Sequence, residues 1–157
     1  IVGVPSSGIH SNGLTLARRI VEEYASYDTA LAGGKTLGEE LLTPTRIYHE
    51  ALSVAETCIV HGMCHITGGG LLNFRRLADY GFSITAPLEV PAIFRWLQET
   101  GDIDGAEMYR TFNMGMGYAY IAPPRSVATI ESAIPGARVV GEVAEEPGVW
   151  LRGIDIR

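Results

Sequence analysis

A short run rich in glycine and serine, residues 6–13, separates an apolar segment from an amphipathic one. Residues 1–4 predict a buried strand, and the apolar positions from Leu14 onward repeat with helical spacing. A loop at such a junction presents backbone N–H groups, and the positive end of the helix dipole adds to them. The run therefore predicts an anion site for a group such as phosphate. It also fits an ordinary turn in which Ser11 or Asn12 caps the helix.

The run is neither a Walker loop nor a dinucleotide-binding fingerprint, so neither of those mechanisms applies. The chain has 157 residues and a net charge of −6, without a basic stripe, so we expect no nucleic-acid partner. No apolar run approaches the roughly 18–20 residues of a membrane helix, so we expect no membrane association. Cys58 and Cys64 favour reduced thiols, and hence a cytoplasmic location.

Helical and extended patterns alternate along the rest of the chain without regular βαβ spacing, which predicts an α+β fold in a single domain, residues 1–157. We expect a loop at 28–38 and a helix that has Thr43 as its cap and Pro44 as its first residue. Further predicted elements are a short helix after Gly70, strands at 82–85 and 118–122, helices from Pro91, at 107–112 and at 127–134, and a closing pair of strands, Val139–Val143 and Val149–Ile156, joined as a hairpin across 145–148.

A second glycine cluster, Gly68-Gly69-Gly70, precedes the short helix and is a second candidate anion site, because glycines permit a ligand to approach the backbone closely. Thr67 adds a hydroxyl to it. The alternative is that the glycines let this loop pack against the first one. Ser6, Ser7 and Ser11 are expected to be hydrogen-bonding loop residues, since no carboxylate–histidine pair that would activate a nucleophile is visible.

His61 and His65 are four residues apart, with Cys64 between them, which on a helix would suggest zinc. The sequence supplies no signature for further ligands, so we expect no metal site and interpret these histidines as core or capping residues. Arg46 and Arg110 lie beside polar motifs, where an arginine binds phosphate or ties loops to carboxylates. We favour the structural role for both.

Several longer runs, taken together, resemble the C-terminal domain of phosphoribosylformylglycinamidine cyclo-ligase, also called aminoimidazole ribonucleotide synthetase. They follow one another in family order and cover nearly the whole chain. Leu71-Leu72-Asn73 departs from the common bacterial pattern and resembles an archaeal-type variant. The matching runs are residues 5–13 (PSSGIHSNG), 37–48 (LGEELLTPTRIY), 65–70 (HITGGG), 91–98 (PAIFRWLQ) and 107–115 (EMYRTFNMG).

The resemblance implies a layered α/β/α domain with a mixed sheet, which forms the substrate-cleft half of a longer two-domain enzyme. That enzyme uses ATP to close formylglycinamidine ribonucleotide into aminoimidazole ribonucleotide, a step of purine biosynthesis. ATP and Mg²⁺ would be bound mainly by the N-terminal domain of the same chain, which also builds a homodimer. This half alone is expected to be inactive.

The same resemblance assigns His10 to the substrate cleft, where it would donate to a phosphate or transfer a proton as a catalytic residue. The residues expected to bind substrate are Ser6, Ser7, Gly8, His10, Ser11, Asn12, Gly13, Thr67, Gly68, Gly69 and Gly70.

Two other functions stay open from the sequence. One is a related ATP-using enzyme, such as a formylglycinamidine ribonucleotide synthetase or a selenophosphate synthetase-like kinase, against which the runs at 43–48 and 108–115 argue. The other is a non-catalytic domain that binds a phosphorylated nucleotide or a partner chain.

Overall fold

The computed structural model describes residues 1–156. Short elements follow one another closely, and the longest helix has 11 residues. In chain order they are β1 (Val2–Pro5), α1 (Leu14–Tyr24), α2 (Leu37–Leu42), α3 (Glu50–Thr57), β2 (Gly62–His65), a 3-10 helix (Gly70–Arg76), β3 (Gly81–Ile84), α4 (Ala92–Thr100), α5 (Gly105–Thr111), β4 (Met116–Ile121), α6 (Pro124–Ala133), β5 (Arg138–Val139), β6 (Gly141–Ala144), β7 (Gly148–Leu151) and β8 (Ile154–Asp155).

The first sheet has four antiparallel strands in the order β2-β4-β1-β5. Its two central strands are largely buried, as the apolar patterns at 1–4 and 118–122 predicted. On one face, Val4 and Tyr120 pack against Val54 of α3 and Ile130 of α6. This pairing brings the beginning of the chain beside its last third.

The second sheet is mixed, with the order β6-β3-β7-β8. The predicted hairpin across 145–148 is wrong, because β3 lies between β6 and β7 and runs parallel to β7. Phe82 of β3 and Val149 of β7 are aligned and buried, so the most apolar strand takes the centre of the sheet. The single strand predicted at 139–143 is interrupted at Val140, whose side chain is buried. The strand before it, β5, belongs to the first sheet, and the strand after it, β6, belongs to the second.

The predicted cap of α1 is also wrong. Gly13, not Ser11 or Asn12, is the N-cap residue, with φ 71° and no side-chain hydrogen bond to the first turn. Glycine is required there for two reasons: the backbone is left-handed, and a Cβ would lie 2.8 Å from Cδ1 of the buried Phe112 ring.

The helix predicted to start at Thr43 and Pro44 begins later, at Glu50. Thr43 instead ends α2. The first turn of α2 carries a capping box between Thr36 and Glu39, and it starts inside the segment 28–38, which was predicted as a loop. The residue before a proline disfavours helical backbone, and Thr43 is extended with ψ 121°. The segment 43–48 therefore stays extended and reaches the first glycine loop.

The α+β class and the mixed sheet are confirmed, and the antiparallel sheet accompanies them. One apolar cluster, which includes Phe74, Phe82, Val140 and Ala119, fills the space shared by both sheets and the 3-10 helix. A second one packs α1 against α4 and α5 beneath the glycine loops. None of the helices in residues 1–156 combines the length and apolarity needed to cross a bilayer.

Candidate functional site

The first glycine loop, residues 6–13, is anchored from below by Asn113. This side chain is buried; its Nδ2 donates to the carbonyl of Gly8 at 2.8 Å and to that of Ile9 at 3.3 Å, and its Oδ1 accepts the Gly115 N–H at 2.9 Å. One amide thus holds the loop against the turn that precedes β4. In the sequence, Asn113 lies inside a motif, but nothing local indicated this role.

The extended segment 43–48 anchors the same loop from the other side. Ser7 Oγ donates to the Pro44 carbonyl at 2.7 Å and accepts the Arg46 N–H at 3.0 Å. The hydroxyls of Ser11 and Thr45 are 3.1 Å apart. These bonds explain why the segment is extended, and they agree with the prediction of hydrogen-bonding serines for Ser7 and Ser11 but not for the Ser6 hydroxyl, which has no partner among the described residues.

The second glycine loop lies against the first. A Cβ on Gly68, which is exposed, would lie 3.1 Å from Oδ1 of Asn12. Behind it the buried Asn73 donates to the Gly70 carbonyl at 2.7 Å, and its Oδ1 accepts the Thr67 hydroxyl at 3.3 Å. We call the surface formed by Asn12, Thr67 and Gly68 the two-loop site.

The predicted site residues divide by burial. Ser11 and Gly68 are exposed, and four others are half-buried: Ser6, Ser7, Asn12 and Thr67. Gly69 and Gly13 are half-buried with left-handed backbone, whereas Gly8 and His10 are buried. Gly70 is buried too, and a Cβ there would lie 2.9 Å from the Phe112 carbonyl oxygen. The two-loop site therefore offers an Asn amide, a Thr hydroxyl and glycine backbone to a ligand.

The first turn of α1 faces the same loop without a side-chain cap and without an acidic residue. By contrast, the N-termini of α2 and α5 are capped by Thr36 and Asp104. Uncapped N–H groups at the positive end of an 11-residue helix favour an anion. Of the two interpretations of residues 6–13, the cap by Ser11 or Asn12 is wrong, whereas the anion site stays a prediction, since α3, α4 and α6 also begin without a side-chain cap.

His10 is buried, with 5% of its surface exposed, and has left-handed backbone at φ 63°. Its Nε2 accepts the Ser7 N–H at 3.1 Å, which places the proton of the neutral ring on Nδ1. Burial lowers the pKa of His10 to about 4, with smaller contributions from His65 and Arg46. The ring is therefore neutral at neutral pH, and its role is that of a hydrogen-bonding group rather than a cation.

Two buried polar atoms of this loop, His10 Nδ1 and Ser6 Oγ, have no hydrogen-bond partner among the described residues. Buried polar atoms in proteins are almost always paired, so such atoms call for an explanation. A buried water, or a ligand admitted by a shift of the loop, would supply the missing partners.

Four rings form a cluster behind the loop, which we call the histidine–tyrosine cluster: His10, His65, Tyr48 and Tyr118. Tyr48 and Tyr118 stack with centroids 5.1 Å apart, and the His65 ring lies 5.5 Å from Tyr48 and 6.3 Å from His10. His65 of β2 lies opposite Tyr118 of β4, and His65 is exposed. This cluster was not predicted from the sequence, although Tyr48 and His65 both lie in runs that carry the family resemblance.

Arg46 lies beside the histidine–tyrosine cluster and has the structural role predicted for it. Its guanidinium lies 5.1 Å from the Tyr48 ring centroid and donates to Glu50 Oε1 at 2.8 Å. Tyr48 in turn donates its hydroxyl to the Pro5 carbonyl at 3.2 Å. Arg110 likewise pairs with Glu107, at 3.4 Å.

The residues considered for zinc do not share a helix, because His65 lies in β2 and His61 precedes that strand. Residues 1–156 contain no group of three or more His, Cys, Asp or Glu side chains placed to hold a metal ion.

The chain belongs to the family described as AIR synthase related protein, C-terminal domain, whose model matches residues 1–153. It is 51% identical to the phosphoribosylformylglycinamidine cyclo-ligase of Methanosarcina barkeri, over 99% of this chain and 47% of the relative. The enzyme of the same name from Thermococcus gammatolerans is 43% identical, over 100% of this chain and 47% of the relative. The chain thus spans about half the length of these curated relatives.

Solved structures share the fold at low identity. The protein tt0281 from Thermus thermophilus superimposes with a TM-score of 0.61 and 20% identity, over 92% of this chain and 47% of that one. Thiamine monophosphate kinase from Aquifex aeolicus gives 0.59 and 17%, over 98% and 51%. At this identity the likeness shows the fold alone.

Proposed function

We propose that this chain is the substrate-binding half of an ATP-dependent cyclo-ligase that converts formylglycinamidine ribonucleotide to aminoimidazole ribonucleotide in purine biosynthesis. The observation that carries the proposal is the 51% identity to an enzyme of that name over 99% of the chain. Because the chain spans 47% of that relative, we assign the activity to a two-domain protein. In that protein an N-terminal domain of the same chain provides most of the binding site for ATP and Mg²⁺ and forms a homodimer. We place the protein in the cytoplasm.

When bound, ATP supplies the phosphoryl group that activates the formyl oxygen; an amidine nitrogen then closes the ring and phosphate leaves. Such chemistry depends on positioning and on charge stabilisation. This chain contributes to positioning. We assign the substrate phosphate to the two-loop site, where the Asn12 amide and the uncapped first turn of α1 provide neutral donors, while the Thr67 hydroxyl donates to Asn73.

His10 acts in this proposal as a positioning residue. Its Nε2 fixes the backbone of Ser7, and its Nδ1–H is the buried donor left for a ligand. The histidine–tyrosine cluster holds this ring from behind, since His65 and Tyr48 both lie against it. A proton-transfer role for His10 fits less well, because burial holds its pKa near 4.

The test uses the full-length protein, ATP and formylglycinamidine ribonucleotide, with formation of aminoimidazole ribonucleotide as the readout. Asn12→Ala and His10→Asn should raise the substrate KM or lower kcat by about tenfold or more, an effect typical of lost positioning contacts. Thr129→Ala, on an exposed face of α6, serves as the control and should leave both constants unchanged. Unchanged kinetics in both site variants would remove the loop assignment, and absence of the product would remove the proposed activity.

A further inference from the structure

One edge of the second sheet is bare. Among residues 1–156, β6 pairs with β3 alone, and its other edge borders an apolar groove of about 700 Å³. Val139 and Val143 line this groove and are 46% and 41% exposed. An exposed strand edge with apolar side chains is a surface that proteins normally cover.

The N-terminal end of β1 lies at the free edge of β6 and points along it. The Ile1 nitrogen donates to the Gly141 carbonyl at 2.7 Å, and the Val140 N–H donates to the Ile1 carbonyl at 2.9 Å. This pattern is a β-bulge in which Val140 and Gly141 both lie opposite Ile1. Because the Gly141 carbonyl faces β1, alternation along the strand turns the N–H and C=O of Val143 the same way.

We propose that the chain segment which precedes this domain in the full-length protein continues β1 as an extended strand along the free edge of β6. The proposal rests on the two-domain architecture proposed above, since the chain covers 47% of its relatives and matches a C-terminal domain family. The residue immediately before Ile1 then lies opposite Glu142, and the one before it opposite Val143. The added strand fills the groove and joins the two four-stranded sheets into one.

Two features favour this occupant. The segment is covalently attached at the groove, so its effective concentration is high. Its backbone satisfies the outward groups of Val143, as in other strand additions.

The first test measures amide hydrogen exchange in the full-length protein and compares the protection factor of Val143 with that of Gly33, which lies in an exposed loop. We expect protection at least about a hundredfold greater at Val143, as for an amide that gains a ladder hydrogen bond. Equal protection at the two amides overturns the proposal, whatever else occupies the groove.

The second test fixes the register. A residue pair without mutual hydrogen bonds has a Cα separation of about 4.5 Å, which suits a disulfide. In the full-length protein, a cysteine immediately before Ile1 should therefore oxidise with Glu142→Cys at least about tenfold faster than with the diagonal control Ala144→Cys. Peptide mass spectrometry separates this bond from the native thiols, of which Cys64 is buried with a pKa raised to about 11.

Equal oxidation rates in the two cysteine pairs would overturn the register. The readout does not depend on catalysis. A full-length enzyme that is active but shows no preference for the Glu142→Cys disulfide would therefore contradict the added strand and leave the proposed function intact.

Discussion

Gly117 lies directly beneath the Tyr48 side chain, with no room between them for a methyl group. A Cβ on Gly117 would be 2.9 Å from Cζ of Tyr48 and 2.7 Å from Cε1 of His10. A single glycine in β4 therefore lets a tyrosine and a histidine from distant parts of the chain meet behind the first glycine loop.

Gly117→Ala should force those two rings apart. Overpacking of this kind lowers the free energy of unfolding by about 1–3 kcal/mol. Gly105→Ala is the matched control, because a Cβ there meets only Gln98 Nε2 at 3.6 Å and the residue opens α5. Urea denaturation of both variants checks the prediction. Equal stability of the Gly117→Ala and Gly105→Ala variants would show that the histidine–tyrosine cluster can accommodate the extra methyl group, contrary to the structure.

Asn113→Ala should destabilise the protein by about 2–4 kcal/mol, since it leaves the buried Gly8 carbonyl and Gly115 N–H without their partner. Asn113→Asp keeps the acceptor for Gly115 but sets a buried carboxylate oxygen against the Gly8 and Ile9 carbonyls, so it should destabilise the protein at least as much as Asn113→Ala. Thermal unfolding followed by circular dichroism measures both. A loss of less than about 0.5 kcal/mol for the alanine variant would show that Asn113 does not anchor the loop.

Acid should destabilise the fold partly through His10. Burial lowers its pKa from 6.5 to about 4, so between those values the unfolded chain binds more protons than the folded one. The contribution is complete above pH 6.5 and is lost as the pH falls toward 4, on the order of 3 kcal/mol in all. His10→Asn tolerates the left-handed backbone and should remove this part of the slope.

The control for that experiment is His49→Asn, since the side chain of His49 is 81% exposed. Urea midpoints across the acid range should flatten in the His10 variant and keep the wild-type slope in the control. The same slope in both variants would show that His10 does not titrate as its burial requires.

Local pattern was sufficient for much of the fold. The helices from Leu14 and after Pro91 form where the apolar spacing predicts, and the helix predicted at 127–134 forms with an earlier start, at Pro124. The order of strands was not predictable in this way. Residues 145–148 look like a hairpin turn, but the pairing of β3 with both β6 and β7 depends on contacts far apart in sequence.

The site shows the same division. The sequence identified both glycine loops because glycine and serine runs are local signals. It missed the histidine–tyrosine cluster. In that cluster His65 meets Tyr118 because β2 and β4 pair in this register, and Tyr48 fits beside His10 because Gly117 leaves space. It also placed a helix start at Pro44, since the bond from Ser7 that holds this segment extended is a tertiary contact.

The most direct test of the central claim, that the two-loop site holds the substrate phosphate, is the affinity of the full-length protein for formylglycinamidine ribonucleotide, measured by calorimetry without ATP. Asn12→Asp keeps the shape of the side chain and places a negative charge 3.1 Å from the Cβ position of Gly68. Thr129→Asp adds the same charge on an exposed face of α6. We predict that Asn12→Asp weakens binding by about tenfold to a hundredfold, as for a like charge placed beside a phosphate, and that Thr129→Asp leaves it unchanged. Equal affinity in the two variants would contradict the assignment.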